Sequence, residues 1–136
     1  EVCRPAAEAA GIEIAVGECV PIEIFADSLL LQQALNNLIS NAVFHSGTKR
    51  IEVSAVRTGD GHAVDFCVRD SGCGIAPEHQ ERIFNRFYRV PSSGKKHNGS
   101  GIGLAIVKRI AQFHHGRVFV NSRPGEGASF HLELPL

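Results

Sequence analysis

Alternating apolar and polar positions predict β-strands in six stretches of the chain. The two central stretches flank Gly59-Asp60-Gly61, which predicts a β-hairpin. The first two lie on either side of Pro21, and we expect them to be in antiparallel contact. The six predicted strands are residues 13–16, 22–25, 51–57, 63–70, 117–121 and 129–134.

Apolar residues three and four positions apart predict two helices between these strands. The first is expected from Asp27 or Ser28, either of which can cap it, to about Ser46. The second is expected over residues 102–115, with Gly116 as its C-cap. Residues 76–87 predict one or two short helical turns. The apolar face of the first helix comprises Leu31, Ala34, Leu35, Leu38, Ile39, Ala42 and Val43.

These elements predict an α/β (α+β) two-layer sandwich, with a mixed, mostly antiparallel sheet covered by helices on one face. We expect residues 1–136 to form a single domain, whose first 20 residues include the tail of an upstream linker.

Composition agrees with a globular domain, since 43% of residues are hydrophobic and 21% are charged. No apolar run reaches membrane-spanning length, and no signal peptide is recognisable. The chain has no Met, so we expect it to be part of a longer protein. The four cysteines lack metal-binding spacing, which favours free thiols in an intracellular domain.

Charge is divided along the chain although the formal net charge is zero. Residues 1–27 contain six acidic residues and one arginine, whereas residues 82–125 contain nine Lys or Arg and no acid. Such a basic stretch favours an anionic ligand, either a polyphosphate or a nucleic acid. A basic face in contact with water is the alternative.

The first predicted helix carries no formal charge, and four polar side chains recur along it at intervals of four. This spacing stacks them in one row, comprising Gln33, Asn37, Asn41 and His45. Amide oxygens can bind Mg²⁺, which retains most of its waters and substrate phosphates as ligands. A polar margin of the core explains the row equally well.

Two glycine clusters are candidates for nucleotide binding. Asp70-Ser71-Gly72-Cys73-Gly74 follows a predicted strand, where a carboxylate can accept from an exocyclic amine and glycines let a base approach. Gly99-Ser100-Gly101-Ile102-Gly103-Leu104 opens the second helix, where backbone N–H groups can bind an anion. Three known glycine patterns do not fit this second cluster. The Walker pattern lacks its Gly-Lys-Ser/Thr ending, the Rossmann pattern lacks the strand before its glycines, and the protein-kinase pattern lacks its companion motifs.

From Pro21 to Leu136 the chain resembles the ATP-binding catalytic domain of bacterial sensor histidine kinases, of the GHKL superfamily with the Bergerat fold. Five motifs occur in the family's order. The N box is similar to residues 35–42, the first glycine box to 70–74, the F box to 84–89, the second glycine box to 99–104, and the terminal glycine motif to 125–130.

The resemblance implies ATP and Mg²⁺ as cofactors, with Asn41 on the metal and Asn37 on the metal or phosphates. Asp70 would receive the adenine amino group in a pocket shaped by Gly72 and Gly74. Asn37 and Arg89 are the implied catalytic residues. The other implied nucleotide contacts are His45, Tyr88, Arg89, Lys95, Lys96, Gly99, Gly101, Gly103 and Leu104, with residues 90–98 as the ATP lid.

Two positions depart from the family pattern. Phe44 stands where many relatives have a Lys, which would shift phosphate neutralisation toward Arg89, Lys95 and Lys96. Ala128 replaces a common Ser or Thr. The Phe-Tyr-Arg sequence at residues 87–89 and the ending near Pro135 resemble heavy-metal-responsive sensors.

The resemblance implies that this domain donates the γ-phosphate of ATP to a histidine on a separate helical-hairpin domain of the same protein, and thence to a response regulator. We expect an isolated monomer but a homodimeric full-length protein, with the domain cytoplasmic and the protein anchored in the bacterial inner membrane. The alternatives are an ATP hydrolase of the superfamily, an anti-sigma serine kinase, and a docking module that binds no nucleotide. Nucleic-acid binding is not expected.

Overall fold

The computed structural model describes residues 13–19, 26–45, 50–85 and 103–136. The expected strand at 22–25, with its antiparallel contact, and the expected lid at 90–98 lie outside these residues. Five strands, two α-helices and two 3₁₀ turns are described. In chain order they are β1 (Glu13–Cys19), α1 (Ser28–His45), β2 (Arg50–Arg57), β3 (Ala63–Asp70), the 3₁₀ turns Pro77–His79 and Arg82–Phe84, α2 (Gly103–Phe113), β4 (Arg117–Ser122) and β5 (Ala128–Pro135).

The strands form one mixed sheet in the order β1-β2-β3-β5-β4. β1 pairs with β2 in parallel, and the other three pairings are antiparallel. The predicted sandwich class and the predicted hairpin between β2 and β3 are therefore confirmed. β1 extends three residues beyond its predicted end, and its register with β2 shifts between Val16 and Cys19.

The core lies between the helices and one face of the sheet. Ala34, Leu38 and Ala42 of α1 are completely buried, as the apolar pattern predicts. The sheet contributes the alternate residues of β3 and β5, while α2 contributes one buried face. These buried residues are Val64, Val68, Phe130, Leu132 and Leu134 of the sheet and Val107, Ile110 and Ala111 of α2.

Asp27 caps α1, in agreement with the sequence. Its Oδ1 accepts hydrogen bonds from the backbone N–H groups of Leu29 and Leu30, at 3.0 and 3.1 Å. These bonds satisfy two of the donors that a helix N-terminus leaves without partners. Neither described helix is long and apolar enough to cross a lipid bilayer.

The C-terminal end of α2 differs from its predicted form. His115, with φ of 60°, occupies the left-handed position that we assigned to Gly116. The backbone N–H of His115 bonds to Gln112 O and that of Gly116 to Ala111 O, which together form a Schellman motif. Gly116 is needed for another reason, since a Cβ there would lie 2.1 Å from Glu133 O of β5.

Candidate nucleotide site

Asp70 is the last residue of β3 and is only 5% exposed. Burial raises the pKa of its carboxyl group, against the lowering effect of hydrogen bonds from the backbone N–H groups of Gly72 and Ala128. The bond from Gly72 N to Asp70 Oδ1 measures 2.9 Å. A buried carboxylate of this kind can accept a further hydrogen bond from a ligand, which would compensate part of the lost hydration.

The loop after Asp70 packs closely against the turn between β4 and β5. Gly74 has φ of +74°, and a Cβ there would lie 2.0 Å from Arg123 O. Gly127, with φ of +78°, approaches Asp70 itself, because its Cβ would lie 2.2 Å from Asp70 O. The backbone N–H of Gly125 bonds to Cys73 O at 2.7 Å. The terminal glycine motif therefore supports the first glycine cluster.

Two polar side chains outside all of the sequence motifs hold the same loop. Ser122 Oγ accepts from the backbone N–H of Ile75 at 2.8 Å and donates to Gly127 O at 2.7 Å. Gln80 Nε2 donates to Ile75 O and Ser122 O, both at 2.9 Å. Their sequence context is an ordinary strand end and a polar turn, so only the tertiary structure identifies them.

The polar row of α1 is only partly sheltered. Asn37 and Asn41 are half-buried, whereas Gln33 is exposed, and the side chain of His45 lies outside the described part of the chain. Gln33 instead borders a shallow groove of about 430 Å³ between α1 and α2.

Asn37 connects α1 to the beginning of α2, because its Nδ2 donates to Gly103 O at 3.3 Å. A carbonyl oxygen only accepts, so the amide nitrogen faces Gly103 and the amide oxygen remains for another partner. Within the described residues, Asn41 has no hydrogen-bond partner for its side chain. Half-buried amide oxygens of this kind suit a magnesium ion that keeps most of its water.

The start of α2 belongs to the second glycine cluster. Gly103 is exposed at the first helical position, while Leu104 is half-buried and packs on the core. Six further predicted site residues lie outside the described residues, namely Tyr88, Arg89, Lys95, Lys96, Gly99 and Gly101.

Three elements meet around this region. α1 packs against both β3, which ends at Asp70, and α2, whose first turn contacts Asn37. The helix that carries the amide row thus contacts both the strand that ends at Asp70 and the helix that begins at Gly103. These elements contain an acceptor suited to a base, amide oxygens suited to a cation and backbone N–H groups suited to phosphates.

Comparison with known proteins agrees with this geometry. The chain is 43% identical over 133 residues to the "Sensor-like histidine kinase SenX3" of Mycobacterium tuberculosis, covering 97% of this chain and 32% of that protein. It is 45% identical over 131 residues to the "Sensor histidine kinase CusS" of Escherichia coli, covering 95% of this chain and 26% of that protein. The chain thus spans a third or less of these relatives.

A solved structure, full-length ShkA in complex with AMPPNP, superimposes with a TM-score of 0.83 at 38% identity, covering 98% of this chain and 27% of that one. Residues 26–136 match the family model described as "Histidine kinase-, DNA gyrase B-, and HSP90-like ATPase". Because this match covers most of the chain and includes every described site residue, the chain belongs to the histidine kinase-, DNA gyrase B- and HSP90-like ATPase family.

Proposed function

We propose that this chain is the catalytic domain of a sensor histidine kinase, which binds ATP with Mg²⁺ and donates the γ-phosphate to a histidine on another domain. The single observation that supports the site best is the Asn37–Gly103 hydrogen bond. It joins the amide row to the start of the glycine-initiated helix. The named relatives, which are sensor histidine kinases, support the choice within the family.

Each described element has a role in this proposal. Asp70 accepts the adenine amino group. The loop after it is held in place by the bond from Gly72 N to Asp70 Oδ1 and by the close packing of Gly74 on Arg123 O, so Gly74 serves this packing rather than the approach of the base. Asn41 and the oxygen of Asn37 hold the metal, and the start of α2 contributes backbone N–H groups to the phosphates. When bound, Mg²⁺ neutralises charge on the phosphate oxygens and helps to orient the γ-phosphate.

Several proposed contacts belong to residues outside the described ranges. These are His45 through its side chain, Tyr88, Arg89, Lys95, Lys96, Gly99 and Gly101. In this proposal Arg89 and the two lysines neutralise phosphate charge, since Phe44 stands where relatives often have a Lys.

Asn37 also bears on the choice between a kinase and an ATP hydrolase. The hydrolases of the superfamily have a water-activating Glu four residues before the metal-binding Asn. Here that position is an amide without basicity, and its nitrogen is already bonded to Gly103 O. This favours transfer to a protein side chain over hydrolysis.

The proposal extends to the whole protein. We expect a phosphoacceptor helical hairpin in the same protein, a response regulator as the downstream partner, and a homodimer of the full-length chain. We also expect a cytoplasmic position for this domain and an inner-membrane anchor elsewhere. The finer placement among heavy-metal-responsive sensors stays a prediction.

A thermal-shift measurement tests nucleotide binding. AMPPNP with Mg²⁺ at a hundredfold excess over Kd should stabilise the chain by about 2.7 kcal/mol. A guanine analogue, whose ring presents a carbonyl in place of the amino group that faces Asp70, should stabilise it far less. The absence of any AMPPNP-dependent shift would support a docking module instead.

Phosphotransfer is tested on the full-length protein with radiolabelled ATP. A kinase of this class should acquire label that is lost in acid and retained in base, as expected for phosphate on a histidine nitrogen. Acid-stable label would indicate a serine kinase and overturn the proposal.

A further inference from the structure

His114 connects the two helices at the end opposite to the proposed phosphate site. Its Nε2 lies 2.9 Å from the backbone nitrogen of Asp27, the residue that caps α1. Its Nδ1 lies 2.8 Å from Ile110 O, within the last turn of α2. The ring also makes an edge contact with Phe113, with centroids 5.2 Å apart.

The two partners determine the protonation of the ring. A backbone N–H only donates, so Nε2 must be the unprotonated acceptor facing Asp27. A carbonyl only accepts, so Nδ1 must bear the proton that it donates to Ile110 O. The neutral imidazole with its proton on Nδ1 therefore satisfies both contacts.

The second connection between these helices is the bond from Asn37 to Gly103 O. Along α1, Asp27 and Asn37 are separated by about 15 Å of helical rise. Along α2, Gly103 and His114 are separated by about 16 Å. The helices run antiparallel, with a hydrogen bond near each end of the length that they share. A pair of bonds placed in this way opposes sliding of one helix along the other.

We propose that His114 is a positioning residue for nucleotide binding, because its two hydrogen bonds hold the start of α2 in register with the amides of α1. Without the bond to Asp27, the apolar packing of the two helices and the described bond from Asn37 to Gly103 O remain, but the polar contact at the far end of α2 is lost. The phosphate-binding start of α2 then loses its alignment with Asn41. The adenine contact at Asp70 is unaffected, because β3 and its supporting turn do not include His114.

This inference rests on the proposed nucleotide site, and its experiment compares two ligands. AMPPNP with Mg²⁺ requires the phosphate region, whereas adenosine requires only the base pocket. Affinities of the chain for both ligands are measured by calorimetry. Failure of the unsubstituted chain to bind AMPPNP would overturn the nucleotide proposal itself, whereas the variants test the role of His114.

His114→Leu should lower AMPPNP affinity about tenfold, the size expected for one hydrogen bond, while adenosine affinity changes less than about twofold. His114→Gln should restore most of the AMPPNP affinity, since its amide oxygen can reach the N–H of Asp27. The control is His115→Asn, which alters an exposed neighbour and tolerates the left-handed backbone. It should bind both ligands normally.

The inference would be overturned if His114→Leu lowered the affinities for AMPPNP and adenosine by the same factor, or if it left the AMPPNP affinity unchanged. If His114→Leu does not fold, His114→Asn replaces it. Its shorter side chain can donate to Ile110 O but cannot reach Asp27, so it should bind AMPPNP more weakly than His114→Gln. Equal affinities of the Asn and Gln variants would contradict a role for the Asp27 bond.

Discussion

At the residue scale, the burial of Asp70 disfavours the ionised carboxylate that the proposed contact with adenine requires. Its side chain is buried at a strand end, and burial raises the pKa of the carboxyl group. The folded chain therefore holds this proton more tightly than the unfolded chain. The resulting contribution to stability falls as pH rises from 3.8 through the folded pKa. A hydrogen bond from a ligand amino group would offset part of the free-energy cost of burying the ionised carboxylate.

Asp70→Asn should increase the free energy of unfolding of the ligand-free chain at pH 7 by about 1 kcal/mol. The amide oxygen still accepts from Gly72, while the buried charge is removed. The same variant should lose the AMPPNP-dependent thermal shift, because its amide nitrogen opposes the adenine amino group. Urea denaturation and thermal shift together measure the two effects.

The control for this variant is Glu126→Gln, which neutralises an exposed carboxylate in the adjacent turn and should change neither quantity. Undiminished AMPPNP binding by Asp70→Asn would remove Asp70 from the site.

At the element scale, the ends of the helices combine favourable and strained features. Asp27 caps α1 with two hydrogen bonds, while α2 ends in a Schellman motif whose left-handed position is His115. Left-handed backbone is unfavourable for residues with a Cβ. The strain is confined to one exposed residue, so it can be removed without changing any buried contact.

His115→Gly should increase the free energy of unfolding by about 0.5–1 kcal/mol, because glycine adopts this conformation without steric cost. His115→Ala keeps the Cβ and should show no such gain. Thermal denaturation of the three chains measures the difference, and a lower melting temperature for the glycine variant would refute the assignment of strain.

The sheet contains a half-buried ion pair on the face opposite the helices. His131 Nδ1 of β5 lies 2.9 Å from Asp65 Oδ2 of β3, and the ring stacks on Phe119 of β4 with centroids 4.9 Å apart. The hydrogen bond to Asp65, and to a smaller extent the one to Cys67, raises the pKa of His131 to about 10. The imidazolium thus links three strands.

This pKa predicts a specific dependence of stability on pH. The contribution of His131 is fully present below pH 6.5 and is lost as pH rises through about 10, because the folded chain keeps a proton that the unfolded chain releases. Asp65→Asn should flatten the stability profile over this interval. His62→Gln, which alters an exposed histidine, should not. A wild-type profile that is flat from pH 7 to 10 would contradict the ion pair.

At the scale of the whole molecule, features with a local period were predictable from the sequence. The hairpin between β2 and β3, the buried face of α1 and the Asp27 cap all follow from spacing within one element. The row of amides was predictable for the same reason, although its exposed member, Gln33, was not distinguished from Asn37 and Asn41.

Contacts between distant elements were not predictable. His114 and Asp27 are 87 positions apart, and Ser122 meets Ile75 across 47 positions. Such pairs are determined by how the helices and strands pack, and no local pattern marks them. The close approach of Gly127 to Asp70 belongs to the same class, since it depends on the register of β3 with β5.

In the proposed site, the amides of α1 and the beginning of α2 bind one magnesium–triphosphate. Titration calorimetry of AMPPNP with and without Mg²⁺ tests it directly, on the wild-type chain and on Asn41→Leu. Mg²⁺ should strengthen AMPPNP binding to the wild type, and Asn41→Leu should abolish this gain. Gln33→Leu, two turns earlier in the same row, should keep it. A magnesium-dependent gain that persists in Asn41→Leu would show that Asn41 does not hold the metal.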